Sequence, residues 1–353
     1  MRSALAPLAW SCLALLGVLP STALACATCG CTLSTDAATG YSSQPGWRIT
    51  VESVYLDQEQ LRHGSHAASS NDVLDHPVDP AADGAEIERD TRNRYDNLSV
   101  SYRPNADWAV GLLLPYVQRD HTTYGEQEAP FTPAAIAPDQ VSQANVSGLG
   151  DARIIASYQG FLPTHNLGMQ VGVKLPTGRY GGQNEVTGER AGHPVTFDRG
   201  PMVGDALDAS LQAGTGSTDL IVGGYYFQPV SQDFDLVVDG QFQTAIAHRL
   251  DAGDADFRPG NEATLNLGLR YEAHAKWVPQ LQLNLLRRSA DQGALADRLN
   301  TAGTVAYLAP GISAGIGRNV QVYGFAQIPV YSHLSGYQLF PRWTATVGMS
   351  VGF

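Results

Sequence analysis

From Trp47 to Phe353 the chain falls into segments of about 10–14 residues in which apolar and polar side chains take turns, a period that only an extended strand sorts onto two faces. The segment from Glu262 to Glu272 is the clearest. Ala263, Leu265, Leu267, Leu269 and Tyr271 share one face, and Glu262, Thr264, Asn266, Gly268, Arg270 and Glu272 share the other. The final segment repeats it, with Trp343, Ala345, Val347, Met349, Val351 and Phe353 on one side and Arg342, Thr344, Thr346, Gly348, Ser350 and Gly352 opposite. Such segments fall at 47–57, 93–104, 107–119, 148–160, 166–177, 216–228, 233–246, 260–274, 277–289, 301–316, 319–331 and 341–353.

The connections alternate too. Long links (58–92, 120–147, 178–215, then three shorter ones) take turns with tight ones at Pro104–Ala106, Leu162–His165, Pro229–Gln232, His274–Lys276 and Gly317–Arg318. Even strand number, one-sided loops and aromatic residues near segment ends (Trp47, Tyr55, Tyr102, Trp108, Tyr116, Tyr158, Tyr226, Trp277, Tyr331, Trp343) predict an all-β fold. The expected form is a closed antiparallel transmembrane β-barrel of about twelve strands, with short periplasmic turns and long extracellular loops. Closure follows from the solvent: lipid offers backbone N–H and C=O groups no partner, so a spanning sheet can leave no edge. A soluble sandwich shows the same alternation but buries an apolar face, whereas here the second face is charged.

If Phe353 faces lipid, the opposite faces line a wet lumen. They carry Arg48, Glu52, Arg103, Asp151, Arg153, Lys174, Asp219, Asp235, Asp239, Glu262, Arg270, Glu272 and Arg342, with Gln170, Gln241, Gln243, Gln280, Gln282, Asn284, Gln321 and Gln327. Two readings follow: charges that set solute selectivity, or pairs that hold the wall shut. The third long link, with Gly178–Gly182 and Gly188–Gly192, is expected to fold inward as a constriction.

The N-terminus sets the compartment. Arg2, the apolar run Leu8–Pro20 and the small residues of Ser21–Ala25 form a secretory signal peptide (1–25), too short for a spanning helix. Cleavage removes Arg2, so the mature chain is one charge more negative than the −12 of the full sequence. That balance excludes nucleic acid as a partner. Residues 26–46 then form a periplasmic cysteine-containing segment that could plug the barrel, which spans 47–353. Cys26, Cys29 and Cys31 leave three readings open: a disulfide, a soft Cu(I) or Zn²⁺ site, or lipid modification of Cys26. No haem attachment is encoded, because Gly30 follows the CxxC where His is required. His63, His66, Asp72, Asp75, His76 and Asp79 crowd the first long link, but no pair is set on a regular element as metal ligation needs. No nucleophile–His set, phosphate loop or zinc-protease helix appears, so an enzyme is not expected.

Several stretches carry a resemblance: Gly148–Arg153, Lys174–Gly178, Gln212–Asp219, Ala309–Ile312 and Val322–Tyr331. Over about residues 148–353 the chain resembles the outer-membrane transporter-like family linked to the MetA pathway of phenol degradation. The resemblance implies a barrel that moves small, often aromatic or apolar solutes, and supplies no catalytic residues. The terminal Phe353 resembles the signal read by the barrel assembly machinery. The expected partners are therefore outer-membrane lipid, that machinery and a small-molecule solute. Two other readings compete with a solute channel: a thiol-based metal-binding or redox module on a closed barrel, and a barrel that acts through its external loops.

Overall fold

The structure is a computed structural model, and it describes residues 43–78, 85–184, 187–274 and 276–353. The expected signal peptide (1–25), Cys26, Cys29, Cys31 and Asp79 lie outside the described residues. Strands β1 (Gly46–Gly64) and β2 (His66–Ala67) come first, then a six-residue helix α1 (Ser70–Asp75). There follow β3 (Ala85–Arg103), β4 (Trp108–Gln127), β5 (Ser142–Leu149), β6 (Ala152–Tyr158) and β7 (Leu167–Leu175). A small hairpin, β8 (Gly181–Gln183) and β9 (Arg190–Gly192), precedes β10 (Ser217–Pro229), β11 (Phe234–His248), β12 (Glu262–Tyr271) and β13 (Trp277–Arg288). The chain closes with β14 (Gly303–Ile316) and β15 (Val320–Gly352).

Every neighbour in the ring is antiparallel, in the order β1, β3, β4, β6, β7, β10, β11, β12, β13, β14, β15, with β15 returning to β1. Those eleven elements make twelve staves, because β15 crosses the wall twice. Its residues 320–334 pair with β14 and its residues 337–352 pair with β1. Its two arms also bond to each other, Gly352 N donating to Asn319 O at 2.9 Å. The seam is sealed at its last residue, where Trp47 and Phe353 exchange backbone hydrogen bonds of 2.7 and 2.9 Å. The expected closed barrel is therefore present, with the tight turns and both described chain ends at one rim and the long loops at the other.

The staves tilt. Hydrogen-bonded partners climb from Arg48 at the terminal rim through Ser101, Gly111, Ile155, Gly172, Ile221, Gln243, Glu262 and Arg288 to Gly303 at the loop rim. Outward rows are apolar and exposed, as in Val51, Leu98, Val171, Leu265, Leu281, Val347 and Met349. Aromatic pairs border that belt: Trp47–Tyr102, Trp108–Tyr158 and Phe234–Tyr271 at the terminal rim, and Tyr55–Trp343 on the loop side.

Three strands run further than the sequence pattern suggests. β1, β3 and β4 continue past the belt, where outward residues turn polar at Asp57, Glu59, Arg92, Gln118 and Asp120. Above the membrane the outer face meets water, so apolar alternation stops although the strand does not. The stave at 148–160 is broken at Gly150–Asp151 into β5 and β6, and the expected link near 332–340 is only a tight reversal with Gly336 at φ 54°.

Inward aromatic rings lie flat over glycines. A Cβ on Gly311 would come within 2.1 Å of the Phe325 ring, and one on Gly348 within 2.2 Å of Tyr323. Gly311→Val is therefore expected to destabilise the barrel by about 1–3 kcal/mol through overpacking. The temperature at which the folded band disappears on a semi-native gel should fall, and adding Phe325→Ala should recover most of the loss.

Candidate functional site: the lumen

The inward rows enclose a cavity of about 1240 Å³ that is eccentric in the barrel. It lies mainly against β1, β3, β4, β6, β7 and β10–β12, meets β13 and β15 only near their ends at Arg288, Gln321, Ser350 and Gly352, and no β14 residue lines it. The β13–β15 side is filled by its own side chains: Gln282, Asn284, Gln327, Tyr323 and Phe325 are buried, with Asn284 Nδ2 donating to Gln327 Oε1 at 3.0 Å.

Charges line the cavity from rim to rim. Arg48, Arg103, Arg318, Asp235, Arg270 and Glu272 stand near the terminal end, with Arg270 and Glu272 2.8 Å apart. Further in are Glu52, Asp239 and Arg153. Glu52 accepts from Asn97 Nδ2 at 3.2 Å and from the Tyr323 hydroxyl at 2.7 Å, and Asp239 accepts from Asn266 Nδ2 at 3.1 Å. Between them runs an apolar strip of Leu113, Pro115, Ile155, Tyr225, Phe227 and Val237. Toward the loops come Asp151, Lys174, Asp219 and Glu262.

Of the thirteen charges read as inward, Arg342 alone is placed elsewhere. A register shift between Leu56 and Gln58 against β15 turns it outward, where it meets the exposed carboxylate of Glu59 at 3.2 Å. Conversely, Arg119, Arg288 and Arg318 line the cavity without having been singled out. Arg119 and Arg318 sit at or beyond the end of an assigned segment and Arg288 one residue inside one, and the signal for Arg119 is its parity with Pro115 and Val117.

The third long loop, 176–216, does fold inward. Asp151, freed from the wall by the break after β5, accepts from Gly178 N at 3.1 Å and Thr215 N at 3.0 Å, and pairs with Lys174 at 3.0 Å. Lys174 also meets Asp219 at 3.2 Å and donates to the hydroxyls of Ser217, at 3.0 Å, and Thr215. Arg119 donates through Nε to Asn93 Oδ1 at 2.6 Å and through its other nitrogens to Tyr95 and the loop carbonyl of Leu211. Apolar contacts finish the cap: Phe197, Leu207 and Leu211 against Ala144 and Val146 of β5, and Ala209 against Leu250, Phe257 and Leu295 of the next two loops. The loop end is thus covered, while the terminal end of the cavity reaches Gln44 and Pro45.

Two titratable groups sit in the wall above the belt. His121 bonds Thr91 Oγ1 at 2.8 Å beside Phe197, and burial, reinforced by the Arg119 charge, pushes its pKa down to about 3. Burial pushes the Glu86 carboxyl up from 4.5 to about 7.

The cysteines and the Cu(I) or Zn²⁺ reading attached to them fall outside the described residues. Among the described residues no three His, Cys, Asp or Glu side chains converge as a metal group. His63 instead lies on β1, opposite His66 of β2, with its ring tilted against Tyr337 and a bond to Gly336 O, while Asp72 completes the capping box of α1 with Ser69.

These features can be set beside solved structures. A COG4313 outer membrane channel from Pseudomonas putida F1 aligns over 91% of this chain and 99% of its own, at a TM-score of 0.59 and 11% identity. The fold is that of an outer-membrane β-barrel. The Ralstonia pickettii toluene transporter TbuX aligns over 88% and 90% at a TM-score of 0.42 and 12% identity. No protein-family model matches the sequence, and no curated protein sequence matches it.

Lys174→Met would leave Asp151 and Asp219 buried without their cation, a cost of about 3–5 kcal/mol. Loop 176–216 should then become cleavable by added protease in the folded barrel, where the parent protein resists. For Glu86 the folded carboxyl keeps its proton beyond the range in which an unfolded chain loses it. Its contribution is full below pH 4.5 and is lost as pH rises through about 7. Amide exchange at the β3–β4 loop-end hairpin should quicken from pH 5 to pH 8, after correction for intrinsic rates. Glu86→Gln should flatten that change.

Proposed function

We propose that this barrel is an outer-membrane channel for small solutes, with the eccentric lumen cavity as its path. The observation that carries the reading is a cavity of about 1240 Å³ inside a closed wall whose outer belt is apolar. Its apolar strip gives a small aromatic or aliphatic solute a surface to bury, and the flanking charges keep water beside it. The stretches that resemble the phenol-degradation family point to the same cargo. The long loops face outside and both chain ends face the periplasm, as the one-sided loops of such barrels require. The wall offers no edge, so lipid contacts only side chains. The proposed role is passage, not chemistry.

The test is flux. Purified refolded protein in liposomes should admit small phenols faster than sugars of similar mass, and planar bilayers should show discrete conductance. Ile155→Glu, which places a charge in the apolar strip, should cut phenol entry by about ten-fold, the cost of desolvating one group against an apolar solute. A correctly folded barrel with neither flux nor conductance would sink the reading. Protease added to intact cells should cut in loop 128–141 if the loops face outward.

A further inference from the structure

The outer wall carries one charged patch whose chemistry the solute path does not use. Just above the apolar belt, beside the aromatic pair Tyr55 and Trp343, three exposed arginines project from the two staves that flank β1: Arg342 on β15, and Arg92 and Arg94 on β3. They are interleaved with Asp57 and Glu59 on β1 and Asp90 and Asp96 on β3. Arg94 meets Asp96 at 3.1 Å, Arg342 meets Glu59 at 3.2 Å, and Arg92 lies between Asp90 at 3.7 Å and Asp57 at 3.9 Å. In each case the carboxylate contacts Nε. Among the described residues no hydrogen bond engages the terminal nitrogens of these three guanidiniums, and over half of each side chain is exposed. Arg94 is held at Nε by its hydrogen bond to Asp96, and a guanidinium with a carboxylate on its Nε side presents its outer N–H groups as a planar fork, the geometry that grips a phosphate with two hydrogen bonds.

Position selects the ligand. Across the barrel, the outward rows toward the loop end read Leu220 and Thr218 on β10, Thr244 and Ile246 on β11 and Ala263 on β12, all uncharged, and Arg287 on β13 faces outward beside Ala263. The patch therefore belongs to one flank at headgroup height. We propose that this flank docks the phosphorylated saccharide headgroup of an outer-leaflet glycolipid, the lipopolysaccharide class. Arg92, Arg94 and Arg342 take the phosphates, and the interleaved carboxylates accept the divalent cations that accompany them. The inference rests on the loop end facing outward, as in the function proposed above.

The experiment uses the folded full barrel in detergent, with binding followed by native mass spectrometry. The probes are a diphosphorylated lipid A, its dephosphorylated form and an anionic phospholipid, phosphatidylglycerol. Lipid A should bind the parent protein at least about ten-fold more tightly than either other probe, the scale of a few charge-assisted hydrogen bonds. Arg92→Ala/Arg94→Ala/Arg342→Ala should lose that margin, and the triple Lys variant should keep part of it. Arg287→Ala, on the far wall, should bind as the parent does. Heat-modifiability on gels confirms that each variant is a closed barrel. Equal binding of phosphorylated and dephosphorylated lipid, equal binding of phosphatidylglycerol, or an unchanged triple Ala variant would each overturn the proposal. Because the binding is read in detergent, it stands apart from orientation. Should the protease experiment on cells put the loops inside while lipid A still binds, the orientation fails and the patch survives.

Discussion

Every feature of this molecule answers to one constraint: a backbone in hydrocarbon must satisfy each of its own N–H and C=O groups. A flat sheet would leave two edges, so the staves tilt and the ring closes where the second arm of β15 meets β1. Tilt and closure fix the parity of every residue. Once Trp47 and Phe353 bond at the seam, Val51 must face lipid, and Thr50 and Glu52 must face inward. The polar lumen is therefore a geometric result of the strand period before it is a functional one.

Charges in that lumen are tolerable because the loops come down to meet them. Lys174 between Asp151 and Asp219 would be an expensive arrangement on a bare wall. It is stabilised by the hydroxyls of Thr215 and Ser217 and by backbone N–H groups of the descending loop. The break between β5 and β6 serves the same end, because a continuous strand would hold Asp151 in register with its neighbours. Arg119 extends the arrangement one stave further, tying wall to loop through the Leu211 carbonyl. Cap and wall thus share one polar network, and neither is complete alone.

The sequence showed the belt clearly and the rest unevenly. Residues 262–272 and 343–353 could be assigned face by face, since lipid on one side and water on the other write the period directly. Above the belt both sides of β1, β3 and β4 are polar or capped, so the pattern faded and their last turns went unread. Arg342 shows the limit of parity counting: one extra residue in the register against β1 turned it from lumen to surface. The inward course of loop 176–216 was suggested by its length and glycines, but its anchors were not. Arg119 finds Leu211 across 92 residues of sequence, and no local pattern records that pairing.

One consequence follows from the packed β13–β15 side. Gln282, Asn284, Gln327 and Phe325 fill the interior on that side, so the bore is not set by how many staves surround it. Exchanging these few residues for smaller ones would widen the passage with the hydrogen-bonded frame untouched. In this architecture the gauge of the tube and the width of the opening can evolve separately.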